Sequence, residues 1–236
     1  MNTLVTIFNE IIFRPILNLL VFVVDVVPGS DLGLAIILVT ILVRLVLYPL
    51  SRKALVSQKK ISELQPKIKE IQKKHKDDRQ KQSEVVMKFY KENNINPFAG
   101  CLPFLIQLPI IIGMYRVFLS DLSLEIDGLY SFVSAPLYIH TNFLGFINML
   151  EPSVILALCA AFAQFMVSKI TFSKKQKLGS PVSGLQGMMG KQMLYVLPLV
   201  TFFIAQSFPA GIALYWFITT AFSFGQQALI NKALKE

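Results

Sequence analysis

An arginine stands inside an apolar run that is long enough to cross most of a membrane. The run covers 33–50, and Arg44 is its one charged residue. An arginine near the middle of a membrane-spanning helix costs roughly 3 kcal/mol on insertion scales, and such residues usually face protein or water and carry a function. A guanidinium binds carboxylates and phosphates through charge-assisted hydrogen bonds. We therefore interpret Arg44 as a binding group for an anionic part of a substrate.

Other polar side chains in the apolar runs are candidates for the same site. Thr40 precedes Arg44 by four residues and Tyr48 follows it by four, a spacing that would place all three on one face of a single helix. The candidates on other runs are Gln107, Gln164, Tyr215 and Trp216. A hydrated pocket that is open to the cytoplasm and roofed by aromatic rings would satisfy all of these groups. The alternative for a Gln or Thr is an interhelical hydrogen bond, which is its more common role in membranes.

Five apolar runs must position these residues. They cover 33–50, 98–118, 152–168, 192–208 and 209–230. A membrane-spanning helix needs about 20 mostly apolar residues, and hydrophobic residues make up 54% of the 236 residues, against 16% charged. We therefore predict an all-α polytopic membrane protein with five transmembrane helices. None of the five runs contains Asp or Glu, so the runs offer Arg44 no carboxylate.

The orientation follows from the distribution of basic residues. The segment 51–97 contains 13 Lys and Arg against 6 acids, and 169–191 contains 5 Lys and no acid. The connection 119–151 contains four acids and neither Lys nor Arg. Basic connections remain on the cytoplasmic side of a membrane. We therefore predict that the N-terminus lies outside and the C-terminus lies in the cytoplasm, and we interpret the net charge of +9 mainly as a topology signal.

The N-terminal region, 1–31, allows two interpretations. Its apolar stretch 4–27 is interrupted by polar residues, among them Arg14 and Asp25. The region is either a sixth spanning helix or an amphipathic helix in the outer interface. We favour the interfacial helix because the uninterrupted stretch between Arg14 and Asp25 is too short to cross. The remaining residues, 32–236, are expected to form the membrane core.

A polar insertion at 51–96 interrupts this core. It is rich in Lys, Gln and Glu and has no Gly, which favours long helices. Its first apolar residues follow the 3-4-3 spacing of a coiled-coil seam: Ile61, Leu64, Ile68 and Ile71. Asp77 and Asp78 predict a turn and the N-cap of a second helix. We predict a cytoplasmic antiparallel helical hairpin whose first helix is bent or restarted at Pro66, and whose basic residues attract anionic lipids, ribosomal RNA or a nascent chain.

Several short motifs occur in an order that is specific to one protein family. They are Gly33-Leu-Ala-Ile-Ile, Gln65-Pro66-Lys67-Ile68, Gly100-Cys101-Leu102-Pro103, Gln107-Leu108-Pro109, Phe208-Pro209-Ala-Gly211 and Leu214-Tyr215-Trp216. With Thr40 and Arg44, this combination resembles the membrane protein insertases of the YidC family over nearly the whole chain. The resemblance implies a five-helix core with a groove that opens to the cytoplasm and to lipid and is closed toward the outside. It also implies that Arg44 makes the groove electropositive, and that Thr40, Gln164, Tyr215 and Trp216 line it.

The resemblance further implies a set of partners. They are nascent membrane proteins, the ribosome, bound weakly through the cytoplasmic loops, and the Sec translocon, in a bacterial inner membrane. We expect the single-core type of the family, without a large outer domain. No catalytic residue, cofactor or metal site is expected, and DNA is not expected among the partners. The alternative function is a small anionic-solute transporter or channel, against which the acid-free spans and the lack of inverted repeats argue.

Overall fold

The computed structural model describes residues 3–93, 96, 102–119, 128–173 and 185–233. The elements in chain order are α1 (Thr3–Phe8), a π-helical segment (Asn9–Phe13), α2 (Arg14–Val26), a 3₁₀ turn (Pro28–Ser30), α3 (Leu32–Val46), α4 (Tyr48–Lys74), α5 (Arg79–Glu92), α6 (Leu102–Leu119), β1 (Asn142–Phe143), β2 (Ile147–Asn148), α7 (Val154–Ser173), α8 (Leu185–Gln206) and α9 (Ala210–Ala233). The protein is therefore mostly helical, as the composition predicted, and the only strands within the described ranges form one two-residue pair.

Two helical stretches are long and apolar enough to cross a membrane. They are Val5–Val26 and Val154–Thr171, and a third results if α3 and α4 count together as one broken span. The apolar parts of α6 and α8 are shorter, at Gln107–Leu119 and Leu194–Gln206. The described residues thus contain two or three candidate spans, and the count of five transmembrane helices stays a prediction.

The predicted span 33–50 consists of parts of two helices. α3 ends and, after one residue, α4 begins at Tyr48 with Pro49 in its first turn. Proline lacks a backbone N–H and its ring clashes with the preceding turn, so a continuous helix is disfavoured at this position. The prediction that Thr40, Arg44 and Tyr48 share one helix face is therefore wrong for Tyr48, which belongs to the next helix.

The chain divides into two compact units. The α4–α5 unit comprises Leu47–Gln107, and the bundle unit comprises Met1–Val46 and Leu108–Glu236. In the bundle unit α9 packs against both α3 and α7, while α8 packs against α7 and α2 packs against α3. The largest side chains buried in this core are Leu17, Leu20, Leu32, Ile36, Met149 and Ile212. The bundle unit therefore contains the apolar core and most of the candidate site residues.

The structure tests two predictions about the backbone of the α4–α5 unit. Asp78 is the N-cap of α5, since its Oδ1 accepts a hydrogen bond from the Lys81 N–H at 2.9 Å, and this prediction is confirmed. α4 continues through Pro66 and is not restarted there. The Gln82 side chain donates a hydrogen bond to the Gln72 carbonyl at 2.7 Å and so links the two helices. The coiled-coil hairpin and its cytoplasmic location stay predictions.

A loop over 128–151 joins the helices of the bundle unit at one end. Backbone hydrogen bonds tie this loop to the first residues of α3 and α9: Leu32 N–H to His140 O at 3.0 Å, Ala210 N–H to Glu151 O at 2.8 Å, and Gly211 N–H to Met149 O at 2.9 Å. α7 begins at Val154, directly after the loop. α3, α7 and α9 therefore all begin at the loop and run away from it.

This common starting end divides the bundle unit into two regions. We call 14–39, 113–119, 128–160 and 210–214 the capped half, because these residues form the loop and the helical turns next to it. We call 40–46, 161–173 and 215–233 the polar half. The residues of α9 that are buried in the capped half are apolar or Gly, from Ala210 to Leu214. The buried residues of α9 in the polar half include Tyr215, Thr219, Thr220 and Gln226.

Asn18 is a buried polar residue that holds the loop against α2. Its Nδ2 donates hydrogen bonds to the carbonyls of Arg14 at 2.8 Å and Gly128 at 3.0 Å. Its Oδ1 accepts a hydrogen bond from the Tyr130 N–H at 2.6 Å. Buried polar groups are tolerated when they are hydrogen-bonded in this way. Asn18 therefore interrupts the apolar sequence without leaving a polar group unsatisfied.

Asp31 connects the loop to α3. Its Oδ1 accepts a hydrogen bond from the Leu34 N–H at 3.0 Å, which caps the start of α3. Its Oδ2 accepts a hydrogen bond from the Leu144 N–H at 2.8 Å, at the tip of the β1–β2 hairpin. One buried carboxylate thus fixes both the helix and the hairpin.

The N-terminal region forms an almost continuous helical stretch over 3–26. Val5–Val26 has the length needed to cross a membrane. Arg14, inside this stretch, forms an ion pair with Glu10 at 2.7 Å, so these two charges of the stretch are paired. Length therefore does not exclude the spanning alternative, and the interfacial placement of 1–31 stays a prediction.

Candidate functional site

Arg44 lies in the last turn of α3, where its side chain is half-buried. The last carbonyls of a helix lack intrahelical partners, and the helix C-terminus carries a partial negative charge that stabilises a nearby cation. The end of α3 at Val46 places Arg44 within reach of this charge. The Tyr215 side chain on α9 lies near the guanidinium. The end of α3 is therefore the feature of the fold that stabilises the charge of this arginine in an apolar run.

Thr40 and Tyr215 lie on neighbouring turns of α3 and α9. These helices run in the same direction, and a Cβ added at Gly211 would lie 3.0 Å from Ile36. One turn further along each helix are Thr40 and Tyr215. Thr40 is 2% exposed, and its Oγ1 donates a hydrogen bond to the Ile36 carbonyl at 2.6 Å. The structure thus brings Arg44, Thr40 and Tyr215 to the same part of the bundle unit.

Gln164 and Trp216 lie on the packed helices α7 and α9, and both are half-buried. The Thr171 hydroxyl donates a hydrogen bond to Gln227 Oε1 at 2.9 Å, which defines the register of the two helices. Gln164 is seven residues before Thr171, and Thr220 is seven residues before Gln227. Seven residues are about two helical turns, so Gln164 lies near the level of Thr220, one turn beyond Trp216.

Gln107 is the candidate that the bundle unit does not contain. It is half-buried in α6 and belongs to the α4–α5 unit. Its membership of the groove stays a prediction.

Two buried hydroxyls in the polar half belong to Thr219, one of the polar residues of the last apolar run, and to Ser168, which the interpretation of the sequence did not consider. Ser168 Oγ and Thr219 Oγ1 have no hydrogen-bond partner among the residues that the structure describes. An unsatisfied buried polar group costs about 1–3 kcal/mol, so these hydroxyls leave capacity for water or for polar atoms of a substrate. Ser168 follows Gln164 by four residues, and this spacing was the signal in the sequence that could have identified it.

Arg116 is a second arginine in an apolar run, and the interpretation of the sequence did not consider it. Its guanidinium donates a hydrogen bond to Asn9 Oδ1. It also lies 5.8 Å from the ring centre of Phe8 and 4.9 Å from that of Phe13, within the range of cation–π attraction. Arg116 therefore packs the N-terminal helix against α6, in contrast to Arg44 in the polar half.

The chemistry available to this site is reversible binding. A guanidinium, a phenol and a set of hydroxyl and amide groups can hold an anionic or polar segment by hydrogen bonds. Within the ranges that the structure describes, no three His, Cys, Asp or Glu side chains are grouped so as to hold a metal ion.

Comparison with known proteins identifies the family. The model of the family described as 60Kd inner membrane protein matches residues 23–236. The chain belongs to this family. Similar relatives carry the name membrane protein insertase YidC: one from Haemophilus influenzae is 36% identical over 95% of this chain, one from Actinobacillus succinogenes is 35% identical over 95%, and one from Pasteurella multocida is 33% identical over 95%. The resemblance to the YidC family that the motifs indicated is thereby confirmed.

The match covers only part of each relative. The chain spans 37% of the H. influenzae and P. multocida proteins and 38% of the A. succinogenes protein. What this chain shares with the 60Kd inner membrane protein family is therefore the region that contains α3, α6, α7, α8 and α9, including Arg44, Gln164 and Trp216.

Proposed function

We propose that this chain is a membrane protein insertase that receives nascent membrane proteins in a groove lined by the polar half. The observation that carries the proposal is the half-buried Arg44 near Tyr215, in the region that also contains the hydroxyls of Ser168 and Thr219, which no described residue satisfies. The name of the relatives, membrane protein insertase, supports the same function. It favours an insertase over an anionic-solute transporter or channel.

In this proposal the groove opens to the cytoplasm and to lipid and ends at the capped half. Its walls in the bundle unit are Arg44, Thr40, Gln164, Tyr215 and Trp216. The loop 128–151 and the buried apolar residues next to it support closure on one side. Five transmembrane helices, an outside N-terminus and a cytoplasmic C-terminus complete the topology, in a bacterial inner membrane.

The proposed mechanism shortens the apolar path that a hydrophilic substrate segment must cross. Water in the groove reaches part of the way through the membrane, and Arg44 holds an acidic substrate segment by a charge-assisted contact that is stronger at low dielectric. The apolar helix of the substrate then leaves sideways into lipid, which is favourable by about 25 cal/mol per Å² of apolar surface buried. This process needs no catalytic residue, cofactor or metal.

The other proposed partners, and the first contact with a substrate, involve surfaces outside the groove. The hairpin of α4 and α5 recruits substrates, and its basic residues contact anionic lipids and, weakly, the ribosome. The Sec translocon is a further partner, and DNA is not one. Deletion of 61–92 is expected to weaken substrate crosslinking while the bundle unit remains folded.

The test is insertion by purified full-length variants in proteoliposomes, with substrates that have acidic or neutral outer tails. Arg44→Ala is expected to reduce insertion of the acidic substrate by at least tenfold, and Arg44→Lys is expected to retain most of it. Leu45→Ala is the matched control, because this neighbouring side chain is exposed and apolar, and it should insert both substrates normally.

Two results would contradict the proposal. Equal insertion by Arg44→Ala and the wild type would exclude the electrostatic step. Flux of small anions through liposomes that is lost in Arg44→Ala, without any crosslinking of a nascent chain to positions 44, 164 and 216, would favour the transporter alternative.

A further inference from the structure

The loop 128–151 exposes large apolar side chains at the capped end of the bundle unit. They are Phe132, Leu137, Tyr138, Leu144, Phe146 and Leu150. Leu137 is fully exposed, and Phe146 is 89% exposed. Soluble surfaces rarely carry contiguous apolar patches of more than a few hundred Å², and larger patches mark protein or membrane contacts. This loop therefore has the surface of an interaction site.

The loop offers almost no charge to a partner. Glu151 is its one charged residue among 128–151, apart from the titratable His140. The Glu151 carboxylate accepts a hydrogen bond from Asn148 Nδ2 at 3.0 Å within the loop itself. Within 128–151 this surface offers one carboxylate and one imidazole for ionic recognition, and apolar contact is the main interaction that it can make.

The backbone holds these side chains outward in a defined position. At the tip of the β1–β2 hairpin, Leu144 has φ 50° and Gly145 has φ 80°. A bulky residue at positive φ is uncommon and persists only where its surroundings enforce it. Here the Leu144 N–H is bound by Asp31, and the Phe146 N–H donates to the Phe143 carbonyl at 3.0 Å. The exposed Leu144 and Phe146 are thus presented by a fixed turn.

The exposed apolar side chains of the loop are followed by others on α2 and α7. Val154 and Ile155, in the first turn of α7, are exposed, and so is Val26 at the end of α2. Both helical stretches are long and apolar enough to cross a membrane. Their exposed apolar side chains face lipid if they do so. The hydrogen bond from Leu144 to Asp31 holds the loop close to the end of α2, where Val26 lies. Val154 comes shortly after the loop in sequence. The exposed apolar residues of the loop therefore extend the lipid-facing surface of these helices.

We propose that the loop 128–151 is a membrane anchor whose Leu137, Leu144 and Phe146 insert among the acyl chains of the leaflet at the capped end. The partner is a lipid surface, recognised by apolar burial and not by charge. This proposal concerns a surface apart from Arg44, and it does not depend on insertase activity.

The test measures the depth of single probes in the full chain reconstituted into nanodiscs. In a background with Cys101→Ser and Cys159→Ser, a nitroxide is attached to Leu137→Cys or Phe146→Cys. Matched controls are Phe162→Cys, an exposed position on α7, and Glu84→Cys, an exposed position on α5. Collision with oxygen, which partitions into lipid, is compared with collision with a water-soluble nickel chelate.

The two probes on the loop are expected to behave like the α7 probe. Their ratio of oxygen accessibility to chelate accessibility should be at least fivefold higher than the same ratio for the α5 probe. Accessibility to the chelate equal to that of the α5 probe would overturn the proposal, because the loop would then face water. Protection from both reagents would overturn it as well, because the loop would then be covered by protein.

Phe146→Asp gives a second readout with a matched control. A charge at this tip is expected to reduce the oxygen accessibility of the Leu137→Cys probe at least twofold, since the loop moves toward the headgroups. Ser134→Asp, at an exposed polar position of the same loop, is expected to change it less. Equal effects of the two substitutions would contradict insertion of the tip.

Discussion

The two halves of the bundle unit differ in how completely their buried polar groups are hydrogen-bonded, although Thr40 in the polar half is bonded to the Ile36 carbonyl. In the capped half the Asn18 amide and the Asp31 carboxylate are fully used by backbone partners on α2, α3 and the loop. In the polar half Ser168 and Thr219 are buried, and no described residue satisfies their hydroxyls. Unsatisfied groups are costly in a packed core, so these two hydroxyls are groups of the polar half that the proposed binding function would use.

The space beside three helical glycines also differs between the two halves. Gly33 and Gly211 in the capped half each lie under an aromatic ring, where an added Cβ would fall 2.2 Å from Phe143 Cδ2 and 2.1 Å from Phe118 Cζ. Gly225 in the polar half has no atom within 4 Å of such a Cβ. α3 and α9 thus have no spare volume at Gly33 and Gly211, whereas α9 has open space beside Gly225.

The largest effect that separates the halves is expected from Gly211→Ala. The new methyl group overlaps the Phe118 ring, and overpacking of this kind costs about 3 kcal/mol at the upper end of the common range. Gly225→Ala is the matched control on the same helix and is expected to stabilise the protein by up to about 1 kcal/mol through helix propensity. Thermal unfolding of both variants in detergent gives the comparison. A Gly225→Ala variant as unstable as Gly211→Ala would mean that the halves are packed alike.

The next effect is expected from Asn18→Leu. This change removes the hydrogen bonds to Arg14, Gly128 and Tyr130 and leaves loop backbone groups unsatisfied, at a cost of about 2 kcal/mol. The fall in the free energy of unfolding is measured in detergent, with Ser134→Ala as an exposed control in the same loop. If Asn18→Leu were neutral, the loop would not be held by this residue.

A smaller effect is expected from Asp31→Ala, which removes the N-cap of α3. Loss of such a cap costs about 1–2 kcal/mol. Asp31→Asn keeps an acceptor for the Leu34 N–H and is expected to restore about half of the loss. Hydrogen exchange at the Leu144 amide should accelerate in both variants, because its acceptor is lost or replaced by an NH₂ group. Unchanged exchange at Leu144 would argue against the shared role of Asp31.

The smallest effect on stability is expected from Thr219→Val in the polar half. No described partner is lost, so the free energy of unfolding should change by less than about 0.5 kcal/mol. Insertion of an acidic substrate is expected to fall severalfold, since the groove loses a hydroxyl. A loss of stability of 1 kcal/mol or more would show that Thr219 has a structural hydrogen bond, and the contrast with Asn18 would disappear.

The sequence predicted the helical parts of the fold well. Each of the apolar runs 98–118, 152–168, 192–208 and 209–230 corresponds to one helix, with ends that differ by a few residues. Local signals were sufficient there because hydrophobic runs and caps such as Asp78 act within a few residues. The break before Tyr48 was missed, although Pro49 was the local signal for it.

The contacts that close the capped half could not be predicted. In the sequence, Asn18 is only a polar residue that interrupts an apolar helix. Its role in holding the loop could not be predicted, because its partners in the loop lie more than 100 residues away. The rings above Gly33 and Gly211 are likewise distant in sequence. For the site, the residue types indicated Arg44 and Tyr215, and the spacing of four residues between Gln164 and Ser168 was a signal in the sequence that was missed.

The π-helical segment at Asn9–Phe13 explains how a guanidinium can be held by two rings at once. Residues five apart on a regular α-helix point about 140° away from each other, whereas i→i+5 hydrogen bonding places them on successive turns of the same side. The wider turn therefore aligns Phe8 and Phe13, with Asn9 beside them, toward Arg116. Removal of a single residue from this segment would tighten the coil, swing one ring away and dismantle the aromatic clamp without altering any of its members.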